Sequence, residues 1–269
     1  MSTIKTAGGK TRQDVTTLSN GLTLLVESMP GVRSAAMTLL TPMGAASDPA
    51  GALGSANVLA DWITRGAGER DNRAITDYLD SLGVQRSTSA ETVFMRFSAS
   101  MLADKLPQVL PVYGDILLRP MLPEAGFGPA RDLAMQQLDA IEDEPAQKLN
   151  LLIKARHFSD PYGRPVVGKK EHLNTLTPAA LRQDFKSRCT ARGSILAVAG
   201  AVEFAAVRDM VEQHFGAWQS KEPVQQAVHK AAGGVWHEQQ ASNQVQIGLA
   251  EPPACLTVLR RRYEPVRGH

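Results

Sequence analysis

The spacing of apolar positions alternates between a period of two and a period near four along this chain, and each switch marks an element. Residues 18–28, LSNGLTLLVES, read as a strand, a tight Asn20-Gly21 turn and a second strand from Leu22 to Ser28. Ser34–Thr41 is a further strand; both alternating sets, Ala35, Met37, Leu39 and Ala36, Thr38, Leu40, are mostly apolar, which predicts cover on both sheet faces. From Ala52 to Arg65 the period turns helical, with Leu53, Ala56, Leu59 and Ile63 on one stripe and Gly66 as the stop. Asp71–Leu82 forms a second helix, with Asp71 as N-cap and Gly83 at its end. Val84–Ser98 alternates as a single strand, Val93, Met95 and Phe97 on one side and Arg96 and Ser98 on the other.

Helical spacing then dominates. Leu102–Leu118 carries Pro111 at an expected kink, and Glu124–Glu142 and Pro145–His157 follow, separated at Glu144-Pro145. Thr177 and Pro178 have the N-cap and first-turn signature of another helix. Ser194–Ala199 reads as a buried strand, Glu203–Phe215 as an amphipathic helix and Gln244–Leu249 as a last strand. This pattern divides the chain into a flexible arm (1–13), one domain (14–218) and a linker (219–234). Residues 235–269 are the start of an incomplete second domain, ending in a basic tail.

Composition narrows the function classes. With 269 residues, 43% of them hydrophobic, the chain can bury a sound core, and a net charge of +2 argues against a general polyanion binder. Its one dense basic cluster, Arg260, Arg261 and Arg262, reads as a solvated tail rather than a nucleic-acid patch. No apolar run approaches the roughly 18 residues of a membrane span, and the first thirty residues lack a signal-type apolar core, so a soluble, cytoplasmic protein is expected. Cys189 and Cys255 make no disulfide framework, and Cys189 is expected to be semi-buried.

The six histidines, His157, His172, His214, His229, His237 and His269, fall in different elements with no i, i+4 partner and read as surface or helix-end residues. No G-x-S-x-G elbow, P-loop or dinucleotide fingerprint occurs. The sharper feature is the helix at 52–65. Asn57 and Asp61 stand four apart on one face, the geometry of the two His ligands in an H-x-x-E-H zinc helix, whose general-base Glu position is Ala60 here. Gln137 shares a helical stripe with Leu133, Ala134, Leu138 and Ile141. It is expected to face inward, where it needs a partner such as Asn57 or Asp61, or else to be hydrated at the edge of the sheet.

In order and spacing, several segments resemble the M16 (insulinase, or pitrilysin-like) metallopeptidases and the mitochondrial processing peptidase subunits. They include LSNGLTLLVES, TPMGAASDPAG, GALGSANVLADWITRGAG, STSAETVFMRFSAS and RDLAMQQLDAIEDEPAQ. The resemblance covers about residues 14–250 and implies an α+β fold, a mainly antiparallel sheet covered by helices on one face. It aligns the family's two zinc-binding His positions with Asn57 and Asp61, its catalytic Glu with Ala60 and its distal Glu ligand with Gln137. A further acidic position of the family falls on Ala130, seven residues before Gln137.

The resemblance therefore implies a member without the zinc-site residues, with no catalytic residue and no cofactor expected. Asn and Gln amides are weak neutral donors; Asp61 alone is a credible ligand, and no carboxylate stands at 60 to accept a proton. A binding or regulatory partner of an active zinc peptidase subunit, or a homo-oligomer, is the leading expectation. The rivals are a zinc metalloendopeptidase with atypical ligands and a structural core-type subunit. Resemblance further implies that Arg86, Ser87, Thr88 and Ser89 lie on an edge strand that binds extended peptide; the alternative is an ordinary edge protected by polar side chains.

Overall fold

The computed structural model describes residues 2–4, 12–223, 233–239 and 245–251. Its centre is a seven-stranded sheet in the order β1-β2-β3-β9-β4-β8-β7, built from β1 (Ser2–Ile4), β2 (Arg12–Thr17), β3 (Thr23–Ser28), β4 (Ser34–Thr41), β7 (Gln85–Ala90), β8 (Met95–Leu102) and β9 (Ile195–Gly200). Every neighbouring pair is antiparallel except β3 and β9. A two-stranded ribbon of β5 (Gly66–Ala67) and β6 (Arg70–Asp71) stands apart. Eight α-helices are described: α1 (Ser55–Trp62), α2 (Asn72–Ser81), α3 (Leu106–Leu118), α4 (Glu124–Glu142), α5 (Pro145–His157), α6 (Lys170–Thr175), α7 (Pro178–Arg188) and α8 (Phe204–Phe215). This is the α+β arrangement expected, a mostly antiparallel sheet with helices packed on it. No described helix is long and apolar enough to cross a membrane.

Alternation decides which face is covered. Along β4, Ala35, Met37, Leu39 and Thr41 are buried whereas Ser34 and Ala36 are exposed, so the expectation of cover on both faces is corrected. One face holds Leu24, Val26, Met37, Leu39, Met95, Phe97, Leu196 and Val198 against Leu59, Val109, Val211 and Phe215 from the helices. The other stays partly open: Ser34 and Ala36 of β4 and Arg96, Ser100 and Leu102 of β8 are exposed on it.

Other differences have local causes. Val84–Ser98 is a hairpin, not one strand: Glu91 N donates to Phe94 O, reversing the chain between β7 and β8, and Val93 lies exposed at the tip. Within the stretch read as an arm, Ser2–Ile4 pairs with β2. Leu102 closes β8, a short 3-10 turn (Ala103–Lys105) follows, and α3 continues through Pro111. The strand expected over Gln244–Leu249 is absent from the described part of that stretch: residues 245–251 carry no regular structure, and Val245, Ile247 and Leu249 are largely exposed. A strand needs a paired neighbour, and none is described beside them. Arg260–Arg262, Cys255, His229 and His269 lie outside the described residues.

Turn and cap chemistry follows the sequence closely. Asn20 Oδ1 accepts from Leu22 N at 3.1 Å, and its amide donates to Phe215 O at 2.8 Å, tying the β2–β3 turn to the carbonyl end of α8. Asp71 caps α2 by accepting from Ala74 N, and Thr177 caps α7 by accepting from Ala180 N.

The start of α1 is fastened differently. Gly54 there has φ +100 and no capping side chain of its own. Instead the buried Asp48 carboxylate accepts from Gly54 N (2.8 Å), Ala56 N (3.0 Å) and Ser55 Oγ (2.9 Å). Arg188, from the last turn of α7, lies 3.3 Å from Asp48 and also pairs with Asp184. Burial pushes the Asp48 carboxyl up from its ordinary range, and Arg188 pulls it back. Gly168, at φ +84, packs on Gly54 so closely that a Cβ on Gly168 would meet Gly54 Cα at 2.5 Å; Leu53 N donates to His172 Nδ1 at 3.1 Å beside this contact.

Arg188→Ala, which strands the buried Asp48 carboxylate and the half-buried Asp184, is expected to destabilise the fold by ~3–5 kcal/mol in denaturant melts. Lys170→Ala, which breaks the exposed pair with Asp139, is expected to cost no more than ~1 kcal/mol.

Candidate functional site

Two contacts dock α1 on α4. Trp62 Nε1 donates to Pro123 O at 2.8 Å, and the Trp62 ring meets Phe127 edge-on at 5.3 Å. Farther along, Asn57 Nδ2 donates to Gln137 Oε1 at 2.9 Å. A helix repeats every 3.6 residues, so Asn57, Ala60 and Asp61 share one flank of α1, and Ala130, Ala134 and Gln137 share one flank of α4. Those flanks face each other across a cavity of about 400 Å³.

Every position singled out from sequence lines this cavity: Asn57, Ala60, Asp61, Ala130 and Gln137 from the two helices. Arg86, Ser87, Thr88 and Ser89 line it from β7, the last strand of the sheet. Asn72, Ile75, Thr76 and Leu79 of α2 and Tyr113 and Ile116 of α3, not singled out from sequence, also line it. The i, i+4 spacing of Asn72 and Thr76 on an amphipathic helix was a signal for a polar flank, but nothing in sequence tied that flank to this cavity.

Gln137 is exposed rather than inward-facing, so that expectation is corrected; α4 lies over the cavity with Leu133 and Gln137 at its open side. Its amide nevertheless has a partner in Asn57. Asp61 does not join that pair: its carboxylate accepts from Arg65 Nε at 2.6 Å, one turn on. Arg86 is likewise claimed, by Asp80 at 2.5 Å. Ala60 is buried and Ala130 almost wholly so, which leaves the space beside Asp61 lined by methyl groups.

The donor set does not fit a catalytic zinc. Zinc takes imidazole, thiolate or carboxylate ligands, and a catalytic site has three of them plus an open position. Here two of the three aligned positions are amides bonded to each other, and the third is a carboxylate held by a guanidinium. Among the described residues, no group of three or more His, Cys, Asp or Glu side chains is placed to hold a metal.

Burial raises the Tyr113 hydroxyl to about 12, with Arg86 opposing the shift. Cys189, buried rather than semi-buried and 3.8 Å from Leu117 O, is raised by burial to about 12 as well.

The family model for insulinase (peptidase family M16) matches residues 23–170, more than half of the chain. The chain belongs to this family. An uncharacterised zinc protease of Mycobacterium tuberculosis (strain ATCC 25618 / H37Rv) is 26% identical over 202 residues, 75% of this chain and 46% of that protein. A probable mitochondrial-processing peptidase subunit beta of Arabidopsis thaliana is 25% identical over 202 residues, 75% of this chain and 38% of its own. This M16 chain thus spans about half the length, or less, of these relatives. In fold it is similar to a peptidase M16 inactive domain from Pseudomonas fluorescens (TM-score 0.73, 17% identity, 82% of this chain and 54% of that one). It is also similar to a protease from Helicobacter pylori (TM-score 0.72, 16% identity, 82% and 53%).

The two raised groups set an alkaline limit. Both favour the protonated form when folded, so their contribution is intact below their ordinary values of 9.0 and 10.0 and is lost as pH rises toward about 12. Stability measured by denaturant melts is expected to fall across that window, and less steeply in Tyr113→Phe, whose absorbance titration is expected to lack the late-ionising phenol.

Proposed function

We propose that this chain is a non-catalytic M16 domain whose work is binding, as the partner subunit of an active zinc metallopeptidase. The observation that carries the reading is the hydrogen bond between Asn57 and Gln137, which uses two of the three aligned ligand positions on each other. Ala60 adds to it: with a methyl group there, no base stands beside Asp61 to take a proton from water. The Arabidopsis relative is named as a subunit and the Pseudomonas structure as an inactive domain, which suits a division of labour between domains. The names of the mycobacterial relatives favour the rival, a zinc protease, and the amide pair opposes it.

In this reading β7, whose outer edge pairs with no strand among the described residues, offers that edge to an extended peptide, with Ser87, Thr88 and Ser89 beside the cavity and Arg86 held back by Asp80. Main-chain pairing of that kind needs no metal. The reading extends only to this domain; the remainder of a longer assembly would supply the zinc-bearing site.

Purified from zinc-containing buffer, the chain is expected to carry well under one zinc per molecule by elemental analysis and to cleave no peptide. The triple variant Asn57→His, Asp61→His, Gln137→Glu is expected to approach one zinc per molecule, and Ala60→Glu to be required in addition before any hydrolysis appears. Chelator-sensitive hydrolysis by the unmodified chain would overturn the proposal. A triple variant that takes up no more zinc than its parent would show that positions 57, 61 and 137 are misassigned.

A further inference from the structure

We infer that the cavity selects an uncharged carboxamide side chain, glutamine or asparagine, presented by an extended peptide. The inference rests on the peptide-binding reading above and adds what that reading leaves open, the chemistry of the side chain that enters. It begins with charge. The two ionised side chains on the wall are both matched within the protein, Asp61 by Arg65 at 2.6 Å and Arg86 by Asp80 at 2.5 Å. An incoming ammonium or carboxylate would shed water and find no uncommitted opposite charge, which is costly.

What stays uncommitted is neutral. Asn57 and Gln137 spend one donor and one acceptor on each other, so Asn57 Oδ1 and Gln137 Nε2 are left with no hydrogen-bond partner among the described residues. One free acceptor beside one free donor is the complement of a primary carboxamide, whose N–H would donate to Asn57 and whose C=O would accept from Gln137. Exchanging O and N in both amides swaps these roles and leaves the complementarity unchanged. Ile75, Leu79 and Ile116 supply apolar wall for the methylenes of such a side chain, and a cavity of about 400 Å³ has room for it. A purely apolar side chain would fill the space but offer neither amide a hydrogen bond in exchange for its water.

The test uses the full chain, labelled with ¹⁵N, and three blocked amino acids as probes: N-acetylglutamine methylamide, N-acetylglutamate methylamide and N-acetylmethionine methylamide. A library of unrelated extended decapeptides is titrated in parallel. The side-chain amide signals of Asn57 and Gln137 are assigned by their loss in Asn57→Ala and Gln137→Ala; one residue is half-buried and the other exposed, so both variants keep the fold, as their amide spectra would show. The glutamine probe is expected to shift those two signals and to bind about tenfold tighter than either other probe, on the strength of two neutral hydrogen bonds. In either alanine variant the preference is expected to collapse to within about twofold, because one of those bonds is lost. Equal binding of the three probes, or shifts that miss both signals, overturns the carboxamide inference. Decapeptide binding without glutamine or asparagine preference overturns it too while leaving peptide binding standing, and failure of every probe and peptide overturns both.

Discussion

The buried pair of Asp48 and Arg188 is the constraint on which the cavity depends. Helix α1 begins at a left-handed glycine with no capping side chain, so its first N–H groups have to find acceptors elsewhere. Asp48 supplies them from the loop before the helix, and Arg188, 140 residues on in the chain, neutralises the carboxylate. One network therefore fixes where α1 starts, how it is rotated and how α7 packs beneath it. Rotation is what matters for the site: Asn57, Ala60 and Asp61 face the cavity only if the helix starts where Asp48 holds it.

The electrostatics of the cavity are those of a surface whose charges have been matched in place. A metal-binding wall would gather unpaired carboxylates or imidazoles, whose mutual repulsion the ion would relieve. Here Asp61 and Arg86 are each satisfied by a neighbour, and the two amides satisfy one another. Such a wall is stable without a ligand and presents dipoles rather than charges. That character is the basis of the binding role proposed for this domain.

Membership of the M16 family and the side chains of this cavity are separate observations. The family match spans residues 23–170, and the two structural likenesses are likenesses of fold. The chemistry rests on four side chains pointing into one cavity, and the core is indifferent to their identity. Asn57 and Asp61 are half-buried and Gln137 is exposed, so replacing one polar group by another at these positions is expected to disturb little packing.

Periodicity alone was enough for most elements. The bounds of α4 and α5, the caps at Asp71 and Thr177 and the Asn20-Gly21 turn were legible because each is a local rule of spacing or hydrogen bonding. The i, i+4 frame of Asn57 and Asp61 was legible for the same reason. Tertiary structure decided what no window of sequence contains. Alternation continues in both β7 and β8, and only their pairing shows that its phase shifts at the turn, where Arg86 and Thr88 come to share a face with Ala99 and Phe97. Nor could it show that β4 is covered on one face only, because that depends on where the helices land. The partner of Asn57 turned out to be Gln137, eighty residues away, while Asp61 found Arg65 one turn along its own helix. Those choices depend on distances between side chains, and distances between elements exist only once the chain has folded.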